Sequence, residues 1–301
     1  MKNCLISIFF SLYFLLNGQV LCAQEIEPRN YAVVPKNMNV IGLSGSISHG
    51  DVVADVTTLV KGLTITSTAV SLVYVHTFSV FQKLSRVQVT MPFVFINAGA
   101  TIYGMDTVGP RAGFADARIR IGMNLIGSPV MAAKDFQKFR EETVLGLSLV
   151  FSVPIGQYGP ENLVNIGTNR WGVKPELGFS KRQGSWYLEM YAGVWFFTKN
   201  QEYLKDLTMV SNPLLSFQGH ISYNFKNKSW VGINGGYSVG GTTNLEGMDR
   251  DDGQSNFRLG ATYSKPIDKR NSLKFLFNTG IAVRAGQNYT AFTIIYQYSW
   301  F

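Results

Sequence analysis

Asp116, Arg118 and Arg120 stand at i, i+2 and i+4, and Lys174 and Glu176 repeat that spacing further along. In an extended chain a period of two puts each set on one strand face. Arginine forks bind carboxylate or phosphate groups bidentately, so this ladder can line an anion-leaning path. It can also close on itself as an internal ion-pair network, with Glu176 and Glu189 taking up the cations. Arg258, Lys274 and Arg284 carry the same polar parity on later stretches, as do Arg86 and Arg170 on earlier ones. Tyr187, Tyr191 and Trp195 alternate in step with Glu189. They offer stacking faces to an aromatic solute, although packing of a wall is the plainer role.

Two other constellations call for different chemistry. His220-Ile221-Ser222, with Asn234 beyond it, resembles the serine, histidine and asparagine of twelve-stranded outer-membrane phospholipases. A histidine oriented by asparagine can activate a serine. Here Leu215, Phe217, Ile221, Tyr223 and Phe225 occupy the apolar parity, so His220 and Ser222 fall on the polar side and the expected protein is not an enzyme. The stretch 241–254 carries Glu246, Asp249, Asp251 and Asp252. Clustered carboxylates can hold calcium, but the regular ligand spacing is missing and a solvated loop is the reading adopted. Cys4 and Cys22 both lie in the first 23 residues, and His49, His76 and His220 are scattered. No cofactor and no metal are expected.

The elements that position these groups are strands. Over 170–197, Trp171, Val173, Pro175, Leu177 and Phe179 alternate with Arg170, Lys174, Glu176 and Ser180; Leu188, Met190, Ala192, Val194 and Phe196 then alternate with Tyr187, Glu189, Tyr191 and Trp195. One face is large and apolar, the other charged, as in a sheet with lipid on one side and water on the other. Charged residues make up 15% of the chain, against about 25% in soluble domains. No apolar run of about 20 residues, the length of a membrane-spanning helix, follows the N-terminus.

The alternation predicts twelve strands, at 39–47, 69–79, 86–99, 115–126, 143–155, 170–180, 185–198, 214–225, 229–240, 255–265, 272–284 and 290–301. Short turns at 181–184, 226–228 and 266–271 interleave with longer connections at 156–169, 199–213 and 241–254. That asymmetry of the two rims belongs to an outer-membrane barrel, with both termini and the short turns in the periplasm. Residues 51–66 have mixed helical spacing and are read as a partial plug. Residues 128–142 are read as a short amphipathic helix on the membrane surface, with a solvated turn as the alternative. Residues 1–23 form a secretory signal, with Lys2, an apolar core over 5–16 and small residues before the cut; residues 24–301 form the barrel.

The net charge is +8. Its basic residues sit singly on polar strand faces, not in runs, so no nucleic acid is expected as a partner. Tyr296, Tyr298 and Trp300 suit an interfacial girdle. The strand ending at Phe301 looks like the signal read by the barrel-assembly machinery, although Phe301 falls on the other parity.

Gly113-Phe114-Ala115-Asp116-Ala117-Arg118, then Val153-Pro154-Ile155-Gly156-Gln157-Tyr158, and residues 163–171, 174–178 and 191–197 form a pattern. It resembles the outer-membrane transporter family of the meta-pathway of phenol degradation. The resemblance implies an outer-membrane barrel that passes hydrophobic or aromatic compounds. The expected protein is all-β: a monomeric, transmembrane, antiparallel up-and-down β-barrel of about twelve strands in the bacterial outer membrane. Its partners would be lipid, the assembly machinery and a small solute. The lumen path would comprise Arg118, Arg120, Lys174, Glu176, Glu189, Arg258, Lys274, Arg284, Tyr187 and Tyr191. The alternative is a structural or adhesive barrel with a plugged lumen.

Overall fold

The computed structural model describes residues 26–301, except 54–59, 103–104, 137, 141–142 and 163. The leader read over 1–23 lies outside the described residues. Backbone amides cannot be left unpaired in hydrocarbon, so a membrane sheet must close on itself. This one does. β1 (Asn39–Val53) pairs on one side with β2 (Val60–Val80) and on the other with β17 (Gly286–Trp300), in register from Asn39 opposite Trp300 to Val53 opposite Gly286.

Between them the wall runs through β3 (Lys83–Ile102), β5 (Ala117–Ile126), β6 (Thr143–Val153), β7 (Gly172–Gln183), β8 (Trp186–Phe197), β11 (Leu214–Asn224), β12 (Trp230–Gly240), β15 (Gln254–Pro266) and β16 (Asn271–Val283), each antiparallel to the next. β4 (Met105–Phe114) continues the line of β5: both pair with β3, and the strand they make is interrupted at Ala115–Asp116. The barrel thus has twelve wall positions. β9 (Asn200–Tyr203), β10 (Leu207–Ser211), β13 (Thr243–Leu245) and β14 (Met248–Asp249) build a small separate sheet at one end, out of connections read as loops.

Side-chain alternation turns this ladder inside out relative to a soluble sheet. In β8, Trp186, Leu188 and Met190 are exposed, while Tyr187, Glu189, Tyr191 and Trp195 are buried in the lumen. In β11, Leu215, Phe217 and Ile221 face out and Ser216, Gln218, His220 and Ser222 face in. At the turn end, Tyr74, Tyr298 and Trp300 cluster as a girdle. The turns there are tight. Gly184 takes a φ of +63° between β7 and β8, which glycine tolerates without strain. In the β15–β16 turn, Asp268 accepts the backbone N–H groups of Arg270 and Asn271, which hold its carboxyl below the usual range.

Two expectations need correction. Of residues 51–66, those described are wall: Asp51–Val53 prolong β1 and Val60–Thr66 begin β2. β-branched Val, Thr and Ile extend the hairpin past the apolar band, because such side chains suit a pleated surface whichever solvent faces it. Residues 54–59 lie outside the described ones. Among the described residues of the stretch 128–142 there is one helical turn, α1 (Ala133–Phe136). Its Met131, Phe136 and Phe139 do not lie on the membrane. They pack into the turn end of the barrel against a cluster of Tyr31, Val33, Leu84 and Val144.

The lipid-facing assignment is testable at Leu43, which is 55% exposed on β1. Leu43→Arg should cost about 2–4 kcal/mol if the residue lies near the bilayer midplane, read as a lower urea midpoint for folding into liposomes. An unchanged midpoint would place this face in water.

Candidate functional site: the lumen

The inward parity of every strand creates a polar tube, and a segment ahead of β1 occupies its turn end. Arg29 donates its backbone N–H to both Glu189 oxygens at 3.2 Å. Its guanidinium reaches Ser222 and Asn224 and lies over the rings of Tyr187 and Trp230 at 4.1 and 4.6 Å. Arg86 donates to the carbonyls of Asn30 and Ala32 at 2.6 and 2.7 Å, and Asn124 donates to that of Tyr31. Glu27 meets Lys274 at 3.8 Å and donates its N–H to Gln218. The segment's carbonyls and amides thereby gain the partners that burial demands.

Tyr31 is its anchor. The ring fills space left by Gly146 and Gly178 on adjacent strands, where a Cβ would collide with it. It sits edge-on to Tyr191 at 5.2 Å, and its hydroxyl lies 2.9 Å from that of Ser148. Tyr191 accepts the Asn30 N–H and donates to Glu189 at 2.7 Å.

Directly above lies the ladder. Glu176 receives Arg120 on one oxygen and Lys174 on the other, both at 2.6 Å. Arg118, half-buried, is one inward step nearer the loop end. The Lys174 ammonium stands 5.4 Å from the Trp195 ring, Trp195 stacks on Phe197 at 6.0 Å, and Arg170 lies 4.2 Å over Phe197. Across the lumen, Arg258 covers the Tyr289 ring at 3.9 Å and donates to the Gln287 carbonyl. At the loop end the inward face turns apolar: Ile65, Val94, Ile96 and Ala115 pack with Val164 and Ile166 of the β6–β7 connection.

Of the residues read as a path, Arg120, Lys174, Glu176, Glu189, Tyr187, Tyr191, Arg258 and Lys274 meet in this lumen, with Arg118 beside them. Arg284 does not join them. β16 ends at Val283, so Arg284 lies on the exposed rim, where it pairs with Asp251 at 2.5 Å. His220 and Asn234 both face inward and bond at 2.9 Å, and Asn234 in turn donates to Thr262. Ser222 is held by Arg29 and not by the imidazole, so the nucleophile–base contact is missing. Gln218, on the same inward face, accepts the Glu27 N–H. In 241–254 the carboxylates serve separate partners: Asp252 takes the Thr243 N–H and hydroxyl, Asp249 the Asn244 amide, and Glu246 the Thr208 N–H. Residues 26–38 were not foreseen as part of the site. Their one signal is Arg29 and Tyr31 in an otherwise plain stretch.

Residues 47–300 match the family described as "Putative MetA-pathway of phenol degradation". The chain belongs to this family. No curated protein matches the chain significantly. Among solved structures, the COG4313 outer membrane channel from Pseudomonas putida F1 is 17% identical, with 92% of this chain and 100% of that one covered and a TM-score of 0.78. The beta domain of the Bordetella autotransporter Brka (12% identity, 88% and 100% covered, TM-score 0.52) and the transport unit of the autotransporter AIDA-I from Escherichia coli (8% identity, 99% of each, TM-score 0.51) share the barrel more loosely. At these identities the likeness is one of fold. The matched residues take in β1 from Ile47 onward, the other eleven wall strands and both charged ladders, and leave out Tyr31.

Removing the shared anion should be costly. Glu176→Gln leaves Arg120 and Lys174 facing one another in a buried site, and breaking such a set costs about 3–5 kcal/mol. The expected outcome is a lower denaturation midpoint with the barrel still formed. A midpoint equal to wild type would mean that water already screens the cluster.

Proposed function

We propose that this family member is an outer-membrane channel for passive uptake of small solutes, apolar or aromatic ones foremost, with a basic lumen that favours those bearing an anionic group. The observation that carries this reading is how the lumen is filled. A barrel serving only as a wall can pack its inside with apolar side chains. Here the inside holds Arg86, Arg118, Arg120, Arg170, Lys174, Arg258 and Lys274, against Asp116, Glu176 and Glu189 from the wall. It is closed by a segment ahead of the first strand, attached by hydrogen bonds and one tyrosine anchor. Such a segment can leave while the wall's ladder stays whole. Trp195, Phe197 and Tyr289 add aromatic faces beside the cations, a pairing that receives a ring and a carboxylate together.

The relative described as an outer membrane channel supports the same class. In this reading the turn end and both termini face the periplasm, the protein works as a monomer, and the strand ending at Phe301 is its address for assembly. The structural or adhesive reading has one observation in its favour, the number of bonds that tie residues 26–38 to the wall.

Single-channel recording of the refolded chain in a KCl gradient separates the two readings. Wild type should show a small, anion-selective conductance. Deleting residues 26–36 should enlarge it, and Arg118→Ser with Arg120→Ser should lower the anion preference. A barrel that stays silent after the deletion would establish a structural role.

A further inference from the structure

The turn end of the barrel is basic on its outside. Lys181 and Lys265 stand on the outward parity of β7 and β15, one outward step past Phe179 and Tyr263. Lys226 and Lys228 occupy the β11–β12 turn, and Lys269 and Arg270 the β15–β16 turn. All six are exposed, and Asp268 is the one acid in those two turns. At the loop end, by contrast, acids sit among the cations: Arg284 is paired with Asp251, with Glu246, Asp249 and Asp252 in the same connection. A cation on the lipid-facing parity is tolerated at the margin of the apolar band, because its long stem lies on apolar surface while its head reaches the headgroups.

One of these turns is built into a site. Ser299 donates its N–H and its hydroxyl to the Arg270 carbonyl at 2.9 and 3.2 Å, which ties the β15–β16 turn to the last wall strand. The Arg270 guanidinium donates to the Tyr298 hydroxyl at 3.3 Å. Asp268 is used inside the turn, where it accepts the Arg270 N–H, the Asn271 N–H and the Asn271 side-chain amide at 2.7, 2.8 and 2.7 Å. No carboxylate lies within ion-pairing distance of Lys269 or Arg270 among the described residues. Between this turn and the seam where β1 meets β17 lies a groove, lined by Ile41, Lys269, Arg270, Tyr298, Trp300 and Phe301. Ile41 is opposite Tyr298 across the seam. Trp300 stacks on Tyr298 at 5.7 Å and lies 6.5 Å from Tyr74. The groove thus has an apolar, aromatic wall and two cations that no protein anion neutralises.

We propose that this groove is a binding site for one anionic phospholipid, its phosphate held by Lys269 and Arg270 and its acyl chain laid over Ile41 and Trp300. The charges select the headgroup. Two neighbouring cations favour a phosphodiester and repel an ammonium, so a lipid such as phosphatidylglycerol fits better than zwitterionic phosphatidylethanolamine. The rings select the depth, since Tyr and Trp sit at headgroup level. The occupied site fastens the seam between the first and last strands to the leaflet at the turn end. Lys181, Lys226, Lys228 and Lys265 supply a general attraction to anionic lipid around the rest of that rim, worth about the same per residue, but without a groove.

Competition between two lipids tests this. The folded full-length barrel in mild detergent is given equimolar dioleoyl phosphatidylglycerol and dioleoyl phosphatidylethanolamine, and native mass spectrometry counts the lipids it retains. Wild type should keep one phosphatidylglycerol in about tenfold excess over phosphatidylethanolamine, as two cations near a phosphate imply. Lys269→Ala with Arg270→Ala should abolish the excess, while Lys269→Arg with Arg270→Lys should keep it. Lys226→Ala with Lys228→Ala, which removes the same charge from another turn, should leave it unchanged. Glycerol 3-phosphate, which has the charge without the chains, should not displace the lipid. Equal retention of both lipids by wild type would overturn the site. So would an excess that survives Lys269→Ala with Arg270→Ala, or one that falls equally in the Lys226 and Lys228 variant, since the rim would then attract lipid only diffusely. Displacement by glycerol 3-phosphate would replace a lipid site with a simple phosphate site and overturn the proposal as well.

Discussion

Backbone hydrogen bonding in hydrocarbon is the constraint from which the rest of this structure follows. An amide or carbonyl facing lipid must be paired within the wall, so β1 must find β17 and the sheet must close. Closure at twelve strands fixes a narrow lumen. It also fixes the fate of charges in the middle of a strand: with lipid outside, they must point in. The cationic excess of the lumen is thus a geometric consequence of the wall before it is a device for solutes.

Once inside, those charges need partners, since the effective dielectric of a crowded lumen lies well below that of water. The chain satisfies them locally and economically. Glu176 serves two cations, Glu189 serves a backbone amide and a tyrosine, and Arg86 takes carbonyls from a passing segment. The segment at 26–38 is best understood in that light. It carries backbone groups that match the lumen's spare donors and acceptors, plus one ring cut to the space over Gly146 and Gly178. Filling of the lumen and burial of the segment are two sides of one complementarity. A lumen filling held this way rests largely on hydrogen bonds, which exchange readily with water. A packed apolar core would not.

The interruption at Ala115–Asp116 follows from the same rule. Where the β5–β6 ladder stops, the orphaned edge has to be covered. The connection that covers it folds inward to bury Val164 and Ile166, and its backbone is tied down by a carboxylate in place of a strand. Irregular backbone is acceptable at this depth because protein surrounds it.

Local alternation was enough to determine the wall. A period of two with aromatics on one parity and charges on the other is a property of consecutive residues, and all twelve predicted strands appear close to their expected places. The same alternation put Arg120, Lys174, Glu176, Glu189 and Tyr191 inside. It also keeps His220 and Ser222 off the lipid face, which speaks against the hydrolase reading. Tertiary structure decided what alternation cannot carry. That Arg29 reaches Glu189, 160 positions away, depends on closure of the whole ring. That 51–53 and 60–66 are wall and 26–38 is the filling depends on which segment's polar groups match the lumen, a match between distant residues. Arg284 fell on the rim because one strand ends a residue before it. Asp116 read as one rung of a charge ladder, yet the fold made it the tie for a loop some 40 and 52 residues downstream. Sequence spacing reports which face a side chain takes. Only the closed barrel reports what it meets there.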